Sequence, residues 1–161
     1  SDLAALLNEM ANASYRHHFA HLWHNADELE HYLQQEYSMA ALAPSLADPQ
    51  CCWLIAEAAR PVGFAKYAYG QNIDPEGPSG ALLHKLYLLP GETGKGYGEH
   101  LINEIAREAQ GRGETFFWLE VLDANPQARR FYERQGFQHL RDTVFSTASQ
   151  QSTLHILGKV I

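Results

Sequence analysis

Ala81-Leu82-Leu83-His84-Lys85-Leu86-Tyr87-Leu88-Leu89, then Pro90-Gly91, then Thr93-Gly94-Lys95-Gly96-Tyr97-Gly98, is the stretch that decides the fold. It reads as a buried strand running into a glycine-rich loop. Leu101, Ile102, Ile105, Ala106 and Ala109 follow at helical spacing, so the loop hands over to a helix. Glycines at alternate positions let several backbone N–H groups converge with no Cβ in the way. The positive end of the helix dipole attracts an anion and Lys95 adds a point charge, so the turn suits a pyrophosphate. Rival phosphate motifs fail on spacing. A P-loop follows its last Gly with Lys and then Ser or Thr, and a dinucleotide fingerprint needs Gly where Glu99 stands. Taken alone, the loop is either an anion cradle or a turn that only eases the chain into the helix.

Downstream, Thr115 to Leu122 reads as another apolar strand. Asn125-Pro126 caps a helix carrying Ala128, Phe131 and Tyr132, and Gly136 ends it. The order strand, helix, strand, helix implies a parallel strand pair. Upstream, Leu3, Leu6, Leu7, Met10 and Ala11 mark a helix over the first 14 or so residues. Asn25 caps a second helix with the stripe Leu29, Tyr32, Leu33 and Tyr37, and Ser38 to Asp48 holds a third, limited by Pro44. Cys52 to Ala56 and Val62 to Tyr67 read as a hairpin about Ala59-Arg60-Pro61. Gly70 to Gly80 reads as a loop, in which Asp74 and Glu76 are candidates for holding a cationic substrate. Phe137 to Thr147 and Thr153 to Val160 close the fold as two strands joined by Ala148-Ser149-Gln150-Gln151. With no repeat and no linker, residues 1–161 read as one α/β domain on a mixed sheet.

The composition, 45% hydrophobic and 19% charged, is that of an ordinary globular chain, and the formal charge of −7 argues against nucleic-acid binding. Cysteine occurs only as the adjacent pair Cys51-Cys52, whose side chains point to opposite faces of a strand, so no disulfide joins them. No run approaches the ~20 apolar residues of a membrane span, and no signal peptide is legible at the start. A cytoplasmic protein with no membrane partner is expected.

The loop and the later run together resemble the GNAT superfamily of N-acetyltransferases. Thr93 to Gly98 matches its cofactor motif Arg/Gln-x-x-Gly-x-Gly/Ala except at Thr93. Asn125-Pro126-Gln127-Ala128-Arg129-Arg130-Phe131-Tyr132-Glu133-Arg134-Gln135-Gly136-Phe137 is similar to its Asn-x-x-Ala-x-x-Phe-Tyr-x-x-x-Gly-Phe. The resemblance implies a mostly antiparallel sheet with a splayed parallel pair, and acetyl-CoA as co-substrate with its pantetheine arm in the splay. Leu86, Tyr87 and Leu88 would then offer backbone groups to the pantetheine, and Thr93, Gly94, Lys95, Gly96, Tyr97 and Gly98 the cradle for the pyrophosphate. Asn125 would contact the arm, Phe131 would pack against it, and Arg134 would lie near the adenosine phosphate.

Acetyl transfer to an amine needs a base, a donor to the carbonyl oxygen and an acid for the departing thiolate. The resemblance makes Tyr132 the acid and the Leu88 N–H the carbonyl donor. His84, on the strand before the loop, and Glu120, on the facing parallel strand, are the candidate bases. Each has a plainer reading as an exposed or structural side chain. Lys85 to Pro90, Phe116 to Val121 and Asp142 to Phe145 look like the bacterial polyamine N-acetyltransferases, with Ser152-Thr153-Leu154 departing from a more acidic segment. The expected acceptor is thus a small-molecule amine, a polyamine among the options, with no metal. A protein or peptide N-acetyltransferase and a non-catalytic CoA-binding module are the alternatives. The oligomeric state stays open, with a homodimer one option.

Overall fold

A computed structural model describes residues 2–73 and 77–161, so the expectation for Asp74 and Glu76 lies outside the described residues. The chain runs α1 (Asp2–Phe19), a 3-10 turn (Ala20–Leu22), α2 (Ala26–Tyr37), α3 (Met39–Ala47), β1 (Cys51–Glu57), β2 (Pro61–Asn72) and β3 (Ser79–Leu88). It continues through α4 (Tyr97–Gly111), β4 (Phe116–Leu122), α5 (Pro126–Arg134), β5 (Gln138–Ser146) and β6 (Gln151–Val160). The strands form one mixed sheet in the order β1-β2-β3-β4-β6-β5, with β3–β4 the parallel pair. Two compact units divide the chain: Ser1–Lys66 with Lys85–Leu101, and Tyr67–His84 with Ile102–Ile161.

In the first unit, α1 runs past the point where its leucines end. Leu7, Ala11, Tyr15 and Phe19 are all buried, so the apolar stripe continues in aromatic form behind the polar run Arg16-His17-His18. Asn25 caps α2 by accepting from the N–H groups of Asp27 (2.8 Å) and Glu28 (3.1 Å). Ser38 caps α3 through Ala41 N–H, and Pro44 sits inside that helix. Tyr87, near the end of β3, is gripped by rings: Tyr15, Phe19 and Phe64 have centroids 6.0, 5.6 and 5.7 Å away, all edge-on. Lys85 is buried against Glu36 at 2.5 Å, and desolvation still holds its ammonium below the ordinary lysine pKa. Cys51 and Cys52 are free thiols on β1.

In the second unit, the parallel register is Ala81↔Phe117, Leu82↔Trp118 and Leu83↔Leu119. The antiparallel β4–β6 ladder runs from Phe116↔Val160 to Leu122↔Leu154, and β5 pairs β6 with an irregularity between His139 and Arg141. α5 starts on the Asn125 cap, which accepts from Ala128 N–H at 3.3 Å, with Pro126 at its first position. It stops at Gly136, at φ +95°, while Lys159 donates to Gln135 O at 2.9 Å. The Gly70–Gly80 loop is shorter than the sequence suggests, because β2 extends to Asn72 and β3 begins at Ser79. Trp118 Nε1–H donates to Gln71 O and Arg141 to Ile73 O, so backbone acceptors that a loop would leave to water are satisfied here.

Candidate active site

The glycine-rich loop divides its glycines between two jobs. Gly94 and Gly96 lie at φ +79° and +85°, a region that costs other residues about 1–2 kcal/mol, and nothing lies within 4 Å of where their Cβ atoms would stand. They bend the chain and leave its inner side open. Gly98 is instead buried in the first turn of α4. His100 N–H to Gly96 O, at 3.2 Å, opens the helical bonding, so the first-turn N–H groups of Tyr97, Gly98 and Glu99 have no intrahelical acceptor. Such a run of donors suits a pyrophosphate. Thr93 and Lys95 are exposed, and Lys95 Nζ lies 3.5 Å from the buried Glu92, whose carboxylate also takes Arg60 at 3.3 Å. Glu92 therefore offsets part of the charge that Lys95 brings to the loop.

The end of β3 is pinned from two sides. Leu89 N–H donates to Val62 O of β2 at 2.8 Å, so by alternation the Leu88 N–H leaves the strand at the opposite edge. The Leu88 carbonyl accepts from Ser14 Oγ at 2.8 Å and stands 3.0 Å from His18 Nε2, both on α1. Gly63 of β2 makes the close approach possible, since a Cβ there would meet Tyr87 O at 2.8 Å. Leu86, Tyr87 and Leu88 remain half-buried. Sequence reasoning missed Ser14, His18 and Gly63. The spacing of Ser14 and His18, one helical turn apart, was the available signal.

In the second unit, alternation from the Leu83↔Leu119 pair places His84 and Glu120 together on the other face of the sheet, both exposed. Desolvation raises the Glu120 carboxyl above its ordinary value, with Arg141 pulling the other way. Tyr132 belongs to the face that carries Leu119. Its ring is 5.9 Å from Phe137, which is 5.2 Å from Phe117 of β4. Tyr132 is buried, and burial pushes its phenol well above the usual tyrosine value, so it stays protonated at neutral pH. Phe131 stacks beside it at 5.3 Å. Asn125 uses its Oδ1 as the α5 cap and is partly accessible, while Arg134 is exposed on the last turn of α5.

The fold and this loop-and-helix pair define an acyl-CoA-dependent class of transferase, and comparison with known proteins bears this out. Residues 7–137 match the model of the Acetyltransferase (GNAT) family, and the chain belongs to that family. An uncharacterized N-acetyltransferase of Mycobacterium bovis is 34% identical over 113 residues, 70% of this chain and 69% of the relative. The streptothricin acetyltransferase of Streptomyces lavendulae is 38% identical over 55 residues, 34% of this chain and 29% of that one. Among solved structures, the PaiA N-acetyltransferase of Thermoplasma acidophilum in complex with coenzyme A shares the fold at TM-score 0.76, with 24% identity over 98% of this chain and 92% of that one. The protein is an N-acetyltransferase that uses acetyl-CoA. No helix among the described residues is long and apolar enough to cross a membrane.

Proposed function

We propose that this protein acetylates a primary amine of a small, cationic molecule, a polyamine being the favoured case, by direct attack on acetyl-CoA, with residues 1–161 acting as one domain. The observation that carries the reading is the placement of ionisable groups about β4, with Glu120 and His84 exposed on one face and Tyr132 buried behind the other. An amine approaching from the exposed face gives up its proton to Glu120 or His84. Its nitrogen forms the amide bond as the C–S bond breaks, and the departing thiolate takes the Tyr132 proton. The Leu88 N–H stabilises the charge that builds on the carbonyl oxygen. Gly94 to Gly98 hold the pyrophosphate, and Leu86 and Tyr87 offer backbone groups to the pantetheine arm. Asn125, Phe131 and Arg134 line the path of the cofactor, with Thr93 and Lys95 at its phosphate end.

The net charge of −7 and the carboxylate of Glu120 favour a cationic acceptor. The test is CoA release measured against polyamines, amino acids, aminoglycosides and N-terminal peptides. Polyamines or other small polycations are expected to turn over with the highest kcat/KM. Turnover confined to peptides would replace the acceptor assignment with protein acetylation, and CoA binding without release on any amine would leave a binding module.

A further inference from the structure

A second cluster, of residues with no part in the proposed acetyl transfer, forms on the face of the sheet that carries Val121, where His155 of β6 stands opposite both Val121 and Asp142. Asp142 Oδ1 lies 2.6 Å from His155 Nδ1 and 2.6 Å from His139 Nε2. The other nitrogen of His155, Nε2, lies 2.7 Å from Asp123 Oδ1, just beyond the end of β4. The irregularity between His139 and Arg141 builds the cluster. Three residues apart on a regular strand, His139 and Asp142 would face opposite sides, and the extra residue brings both to the side of His155. One ligand atom from each of His139, Asp142 and His155 falls within a 4.8 Å span.

We propose that His139, Asp142 and His155 form a binding site for a divalent first-row transition-metal ion, zinc above all, with Asp123 as its positioning residue. Two imidazole nitrogens and one carboxylate oxygen are the ligand set such ions take, and three protein ligands leave a coordination position for water or a small anion. Asp123 supplies the feature that separates a metal-binding histidine from an ordinary one. A carboxylate on Nε2 holds the proton there and turns the Nδ1 lone pair toward the ion. His155 is buried and fixed, whereas His139 and Asp142 keep 38% and 51% of their side-chain surface exposed, so both can shift to admit an ion at ~2.0–2.2 Å. Arg129 lies close enough to His155 to oppose a cation, and the two carboxylates outweigh it. An ion here ties the edge strand β5 to β6 and, through Asp123, to the end of β4.

The protein of residues 1–161, stripped with a chelator, is titrated with zinc by calorimetry and with cobalt by visible absorption. Expected are one zinc ion per chain, a cobalt d–d band and no competition from magnesium. His139→Ala and Asp142→Asn should each lose at least about ten-fold in affinity and lose the cobalt band, and Asp123→Asn should lose about 10–100-fold. His21→Ala controls for the histidines of the N-terminal segment and should bind as wild type does. His139 is exposed, so its truncation leaves the fold intact, which circular dichroism checks. The proposal is overturned if wild type takes up no stoichiometric zinc, or if zinc binds His139→Ala and Asp142→Asn as tightly as wild type. In either case the three short hydrogen bonds serve only to tie β5, β6 and the end of β4 together.

Discussion

The acid role proposed for Tyr132 rests on what surrounds it. Phe131 and Phe137 pack against its ring, and burial keeps the phenol protonated at neutral pH, as the proposed acid must be. Tyr132→Phe is expected to cut kcat by about 10²-fold or more while acetyl-CoA binding, followed by calorimetry, stays at the wild-type level. Glu120 gives a signed pH test. Its pKa is raised, and a base works only when deprotonated, so kcat/KM should climb as pH rises through a value above the ordinary carboxylate range. Glu120→Gln should abolish that limb of the profile. A limb that persists in Glu120→Gln moves the base to His84, whose alanine variant then carries the loss. Both residues were legible in the sequence as ionisable groups on facing strands. Their shared face was settled by the register alone.

At the scale of elements, helices and caps follow from local chemistry, and their ends follow from what they touch. Asn25 and Asn125 announce α2 and α5 because a short amide side chain satisfies orphan N–H groups within its own turn. The end of β3 is different, since its conformation depends on α1 and β2. Gly63→Ala forces a methyl group against the Tyr87 carbonyl oxygen and should cost about 1–3 kcal/mol in a denaturant titration. By moving the Leu88 N–H, it should also lower kcat/KM. A variant that loses stability but keeps its kcat/KM would detach the β3 end from catalysis. The extension of β2 to Asn72 escaped the sequence reading because Trp118 satisfies its Gln71 carbonyl, and Arg141 that of Ile73 just beyond it, from positions distant in the chain. Likewise the polar run Arg16-His17-His18 hid the last turn of α1, whose buried side is Tyr15 and Phe19.

For the molecule as a whole, acetyl-CoA binds the folded chain and not the unfolded one, so it should stabilise by about 2.7 kcal/mol at a hundred times its Kd. For a chain of this size that corresponds to a rise in Tm of roughly 5–10 °C, measured by differential scanning fluorimetry. No shift at saturating acetyl-CoA would contradict the cradle at Gly94 to Gly98. The sequence by itself determined the family, the strand–loop–helix unit and the acid candidate Tyr132. Each of these is written in short-range spacing, where glycine's freedom of φ and an asparagine cap act within a few residues. Only the tertiary structure decided which groups come together: Ser14 and His18 on the Leu88 carbonyl, His84 and Glu120 on one face of the sheet, and His139, Asp142 and His155 around one oxygen. Those meetings depend on strand register, on one extra residue in β5 and on the packing of α1, none of which local spacing specifies.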